Sequence, residues 1–136
     1  MARVLICDDL EIVRKALELA VRRMGHVAVA TGDPVEALAM ARRDPPDLLV
    51  LDYRMPGMDG VELFHRMADS LGERCPRLVM VSALPVEDVV KELAAVGLTA
   101  AHVRKPFRLE ELTRVLGEQL AGKDPLVLSV GPRSGP

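Results

Sequence analysis

Five short apolar runs alternate with five amphipathic runs along most of this chain, and that alternation limits it to very few architectures. Residues 4–7 (VLIC) form the first run. Residues 10–24 follow with Leu10, Val13, Leu17, Val21 and Met24 at helical spacing, and Gly25 stops the helix. Residues 26–30 (HVAVA) read as a second strand. Asp33 then caps a helix, with Pro34 in its first turn and Glu36 three residues after the cap. Pro45-Pro46 ends that helix. Residues 47–52 (DLLVLD) are a third strand, short and continuously apolar, as in a sheet covered on both faces. Asp59 caps the third helix, again with an acid three residues on (Glu62), and Val61, Phe64, Met67, Ala68 and Leu71 stripe it. Residues 77–82 (RLVMVS) make the fourth strand. Residues 86–96 make a helix with Val89, Val90 and Leu93 inward and Gly97 at its end. Residues 100–104 are a short fifth strand, and residues 109–121 a last helix with Leu109, Leu112, Leu116 and Leu120 on one face.

Strand-helix alternation of this kind predicts a parallel sheet with helices on both sides. The expected fold is α/β: a flavodoxin-like (βα)5 three-layer sandwich whose five parallel strands run in the order 2-1-3-4-5. Residues 1–121 form that domain. Residues 122–136 (GKDPLVLSVGPRSGP) break the pattern and read as a flexible C-terminal tail or linker stub; the apolar island Leu126-Val127-Leu128 leaves docking on the body or on a partner as an alternative.

At 136 residues, 49% of them hydrophobic, the chain holds one domain with a normal core. That core must be aliphatic, since Tyr53, Phe64 and Phe107 are the only aromatics. A net charge of −2 gives no reason to expect nucleic-acid binding. No apolar stretch approaches the roughly 20 residues of a membrane helix, and the N-terminus has no secretory apolar region. Cys7 and Cys75 read as two free thiols, which with these absences points to the cytoplasm. Arg outnumbers Lys and Gln119 is the only Gln, as a thermophile or a GC-rich genome would each produce.

Four of the five strands end in polar residues: Asp8-Asp9 after the first, Asp52 on the third, Ser82 on the fourth, and Lys105 with Pro106 after the fifth. A parallel sheet brings all of these carboxyl ends to one edge, where ligands bind in open α/β folds. Three carboxylates placed together repel one another, and a hard divalent cation relieves the repulsion. Mg²⁺ suits such an oxygen set, with Asp9 and Asp52 as direct ligands, Asp8 through water and the Arg54 backbone carbonyl completing the protein's share; Mn²⁺ is an alternative ion. Asp52 is also the best nucleophile, because a carboxylate can attack phosphorus to form an acyl phosphate. Lys105 and the Ser82 hydroxyl would then answer the phosphoryl oxygens, and small Ala83 would leave the position open. Taken singly, Asp9 is as apt to cap a helix, Ser82 to fill a turn and Lys105 to be a solvated charge. Independent accidents would not fall on four strand ends in compatible roles.

These residues resemble the receiver domain of bacterial two-component response regulators. The resemblance covers residues 3–121 and rests on Val4-Leu5-Ile6-Cys7-Asp8-Asp9, on Leu51-Asp52-Tyr53-Arg54-Met55-Pro56-Gly57-Met58-Asp59-Gly60, on Val81-Ser82-Ala83 and on Lys105-Pro106-Phe107. It implies Mg²⁺ at Asp8, Asp9 and Asp52, a cis bond between Lys105 and Pro106, and Gly60 as the residue that lets the chain turn into the third helix. It implies a phosphohistidine donor, either a sensor histidine kinase or a phosphotransfer protein. It also implies an output protein bound through the face of the fourth helix, fifth strand and fifth helix, where Lys91, Glu92, Arg104, Arg108 and Glu111 are candidates. A monomer or weak homodimer is expected, with no direct nucleic-acid or membrane contact. The domain would promote only its own phosphorylation and dephosphorylation rather than turn over a substrate.

Four departures from the family pattern stand out. Ser82 replaces the commoner Thr and keeps the hydroxyl. His102 stands where Tyr or Phe usually acts as a switch, three residues before the lysine, and is either a switch or a strand histidine without a role. Gly97 and Lys105 lie one residue farther apart than usual. Arg54 and Leu84 flank the expected site, where their bulk either hinders a hydrolytic water or points to solvent. Two other functions compete. A degenerate receiver would serve as a phosphorylation-independent interaction domain. A haloacid-dehalogenase-type aspartyl-phosphate phosphatase needs a second Asp where Arg54 stands.

Overall fold

A computed structural model describes residues 1–122. Five strands alternate with five helices: β1 (Arg3–Cys7), α1 (Glu11–Arg23), β2 (Val27–Thr31), α2 (Pro34–Arg43), β3 (Leu48–Asp52), α3 (Gly60–Leu71), β4 (Arg77–Ser82), α4 (Val86–Ala95), β5 (Ala101–Arg104) and α5 (Leu109–Leu120). A 3₁₀ turn at Gly72–Arg74, which the apolar pattern did not signal, follows α3. The strands pair in parallel in the order β2-β1-β3-β4-β5. This is the flavodoxin-like sheet expected from the alternation.

Parallel strands need crossovers, and the helices that make them cover both faces of the sheet. The side-chain period of two then divides the core. Leu5, Cys7, Leu49, Leu51, Leu78 and Met80 point to one side, where they meet Leu38, Phe64, Met67 and Leu93 from α2, α3 and α4. Val4, Ile6, Val50, Val79, Val81 and Val103 point to the other and meet Leu17, Val21, Leu112 and Leu116 from α1 and α5. Every residue of central β3 is buried, so its run is apolar without a break until Asp52.

The acidic helix starts act as expected in two cases. The Asp33 side chain accepts from Val35 N, and that of Asp59 accepts from Glu62 N. Two apolar stripes run one residue short. Leu10 and Leu109 are 54% and 45% exposed, because Leu10 is the N-cap of α1 and Leu109 begins α5, where each helix has not yet met the sheet. Strand β2 lies one residue later than the apolar pattern suggested and takes in Thr31. The expected tail, apart from Gly122, lies outside the described residues.

Gly60 opens α3 against the end of β3. Its amide donates to the Tyr53 carbonyl at 2.7 Å. A Cβ there would collide with the Asp52 carbonyl oxygen and stand 3.0 Å from Met80 Sδ. Gly60→Ala is therefore expected to destabilise the fold by about 1–3 kcal/mol, read from the midpoint of denaturant unfolding; unchanged stability would show that the β3–α3 turn relaxes freely.

Candidate phosphoryl and cation site

The carboxyl ends of β1, β3, β4 and β5 converge on a cleft of about 310 Å³ lined by Asp9, Asp52, Arg54, Ser82, Leu84 and Lys105, among others. Adjacent strands in register place their last residues side by side, so a chain that ends its strands in acid, acid, hydroxyl and amine gathers those groups without further instruction.

Lys105 Nζ lies 3.0 Å from Asp8 Oδ2 and 3.1 Å from Asp52 Oδ1. Asp8 is fully buried and Asp52 is 6% exposed, so the ammonium neutralises charge that water reaches poorly. Carboxylate oxygens of Asp8, Asp9 and Asp52 all lie within 4.8 Å of one another. Burial raises the pKa of Asp52 first; Asp8 raises it further, Lys105 opposes both, and Asp9 adds to the rise. Burial by itself would depress Lys105, but the hydrogen bond to Asp8 and the charges of Asp52 and Asp8 outweigh it and raise the pKa of the ammonium. One cation thus does not offset burial and the neighbouring carboxylates at Asp52. A donor set made only of carboxylate oxygens, with no His or Cys, fits a hard divalent cation.

The backbone holds each end in place. Asp8 N donates to the Thr31 carbonyl at 3.2 Å, and Asp8 Oδ1 accepts from Leu10 N at 2.9 Å. Asp8, rather than Asp9, therefore takes an orphan amide at the start of α1, and exposed Asp9 turns its carboxylate to the acidic cluster. Lys105 N donates to the Ser82 carbonyl at 2.9 Å, which ties the ends of β4 and β5 together. The Lys105–Pro106 bond is cis. Ser82 Oγ accepts from Leu84 N at 2.9 Å. That bond occupies an oxygen lone pair and leaves the hydroxyl proton free to be donated.

Arg54 is exposed and Leu84 half-buried, both on the cleft wall. His102 lies outside the cleft on β5, opposite Met80 in register. Its ring is half-buried, Nε2 has no hydrogen-bond partner, and burial lowers its pKa.

Two contributors carried no sequence signal. Arg14 Nη1, from α1, donates to the Asp8 carbonyl at 2.8 Å. Tyr53, beside Asp52, donates its hydroxyl to the Glu92 carboxylate of α4 at 2.7–2.8 Å; burial, then that bond, pushes the phenol up to about 12. Helical spacing alone does not show which charged side chain reaches over a strand end.

Among known proteins, the model of the response regulator receiver domain matches residues 4–117. The response regulator MprA of Mycobacterium leprae is 41% identical over 113 residues, covering 81% of this chain and 47% of that protein. The probable transcriptional regulatory protein TcrX of Mycobacterium tuberculosis is 35% identical over 109 residues, covering 80% of this chain and 45% of that protein. The chain thus spans about half the length of these curated relatives. The solved structure of chemotaxis protein CheY4 of Vibrio cholerae matches with a TM-score of 0.80 at 28% identity, over 88% of this chain and 98% of that one. Acids, hydroxyl and amine at successive strand ends, on a matching fold and with a family match over most of the length, show that this chain belongs to the response regulator receiver domain family of two-component systems.

Proposed function

We propose that Asp52 accepts a phosphoryl group from a phosphohistidine of a sensor histidine kinase or phosphotransfer protein, and that the added charge switches a protein-binding face. The observation that carries this reading is the single ammonium, Lys105 Nζ, shared by Asp8 and Asp52 beside a serine hydroxyl with a proton to donate.

An Asp52 carboxylate oxygen forms the new O–P bond as the donor's P–N bond breaks, and the bonding pair leaves with the histidine nitrogen. Asp9, Asp52 and the Arg54 backbone carbonyl would hold Mg²⁺, or Mn²⁺, with Asp8 acting through water. The ion would supply the positive charge that phosphoryl transfer between anions requires. Lys105 binds one phosphoryl oxygen and Ser82 donates to another. The product is an acyl phosphate on the protein, so the domain undergoes one modification per signal and turns over no external substrate.

A phosphoryl group adds about −1.5 to −2 charge and three strong acceptors. Ser82 and Lys105 move toward it, and their shared backbone bond makes β4 and β5 move together. His102 responds from the next strand. The face built by α4, β5 and α5, carrying exposed Lys91, Glu92, Arg104, Arg108 and Glu111, changes shape and binds the output protein. Coupling of about 1–3 kcal/mol suffices to bias an existing equilibrium. A cytoplasmic setting fits, and no helix of the described residues is long and apolar enough to cross a membrane.

Incubation with Mg²⁺ and acetyl phosphate should add one phosphoryl mass to the intact protein, and Asp52→Asn should abolish the gain. A phosphorylated Asp52→Asn protein would move the acceptor elsewhere. An unlabelled wild type would favour a degenerate, phosphorylation-independent interaction domain.

The raised pKa of Asp52 also sets a stability test without phosphate. A carboxyl group whose folded-state pKa exceeds its unfolded value contributes stability below the unfolded pKa and loses it as pH rises through the folded one. Ionised Asp52 therefore weakens the metal-free fold at neutral pH. In chelator at neutral pH, Asp52→Asn should melt above wild type. That gap should shrink in acid and when Mg²⁺, which binds only the folded site, stabilises the wild type. A lower melting temperature for the variant would mean that Lys105 outweighs burial.

Arg54 and Leu84 narrow the approach to Asp52. Alanine at both positions should shorten the phosphoryl lifetime several-fold, followed by loss of phosphoprotein mass with time. An unchanged lifetime would show that neither side chain obstructs water.

A further inference from the structure

Every polar group of Asp8 is engaged inside the protein. Its amide donates to the Thr31 carbonyl, Oδ1 accepts from Leu10 N at 2.9 Å, and Oδ2 meets Lys105 Nζ at 3.0 Å. The remaining group, the carbonyl, accepts from Arg14 Nη1 of α1 at 2.8 Å. The guanidinium fits there because residue 32, just after β2, has no side chain. A Cβ on Gly32 would stand 2.7 Å from Arg14 Nη1 and 3.5 Å from the Asp8 carbonyl oxygen. The φ of Gly32 lies outside the left-handed region, so the backbone there does not demand glycine. The room it leaves is what the guanidinium uses.

Charge places Arg14 beside the same acids. Burial first, then the charges of Asp8, Asp33 and Asp52, push the fully buried Cys7 thiol up to about 12, and Arg14 opposes them. Arg14 is not among the residues that line the cleft. Its contact with the site runs through Asp8, by a bond to the peptide that carries the carboxylate.

We propose that Arg14 is a positioning residue of the cation site: it pins the Asp8 peptide so that the Asp8 carboxylate stays turned toward Lys105 and a bound divalent cation, and the bare Cα of Gly32 gives the guanidinium its place. With the carbonyl held by Arg14 and Oδ1 by Leu10 N, Oδ2 keeps one direction, toward Lys105 and the other acids. Partners that orient metal ligands are worth roughly ten- to hundredfold in metal affinity. Arg14, which holds the peptide rather than the carboxylate, falls at the low end. The inference rests on the reading of Asp8, Asp9 and Asp52 as a cation site and is independent of the acceptor role of Asp52.

Calorimetric titration of the full chain with MgCl₂, with no phosphodonor present, reads the affinity directly. Each variant is compared well below its own melting temperature, so that a general loss of stability does not enter. Arg14→Ala should weaken binding roughly tenfold. Gly32→Ala keeps the charge but displaces the tip of the guanidinium, and should weaken binding in the same direction. The double variant should bind no more weakly than Arg14→Ala alone, because Gly32 acts through Arg14. Lys15→Ala removes a neighbouring positive charge whose side chain is 71% exposed, and should leave the affinity unchanged. Unchanged affinity in Arg14→Ala, additive losses in the double variant, or an equal loss in Lys15→Ala would overturn the proposal. A wild type that binds no Mg²⁺ would overturn the cation site and this inference with it. A wild type that binds Mg²⁺ but takes no label from acetyl phosphate would overturn the acceptor role of Asp52 and leave the Arg14 result standing.

Discussion

One ammonium group between two buried carboxylates organises the functional end of this molecule. Lys105 Nζ touches Asp8 and Asp52 at about the same distance. Without it, two acids at the ends of neighbouring strands would face each other in a region that water barely enters. With it, burial and then the Asp8 charge still hold the Asp52 carboxyl above its usual range. A carboxylate set of this kind has the chemistry to suit a hard divalent cation.

The rest of the fold supplies the stiffness that such a site demands. Central β3 is buried throughout and ends in Asp52. Gly60 brings α3 against the Asp52 carbonyl, and the Ser82–Lys105 backbone bond fastens β4 to β5. Tyr53, next to Asp52, reaches Glu92 of α4 through one bond at the protein surface, and α4 starts without a side-chain cap.

The course of the chain was largely legible because each local signal agreed with its neighbours. Asp33 and Asp59 cap the helices that their spacing to Glu36 and Glu62 suggested. The errors came at element ends. Leu10 and Leu109 continue an apolar period in the sequence but precede the point where each helix reaches the sheet. Asp9 looked equally suited to capping a helix or facing an ion. Asp8 takes the amide of Leu10, and Asp9 is left to the acidic cluster. Arg14 and Tyr53 carried no signal, since a long side chain's partner depends on which strand end lies beneath it.

The sequence by itself determined the order of strands and helices, the two-sided core and the identity of the residues at the carboxyl ends. Those follow from the local periodicity of apolar side chains and from the handedness of parallel crossovers. Only the tertiary structure decided which carboxylates share Lys105, that Ser82 Oγ already accepts from Leu84 N, and that burial raises the pKa of Asp52. Those properties depend on distance and burial between residues as many as 97 positions apart, and Coulomb energy is set by separation and surroundings rather than by order along the chain.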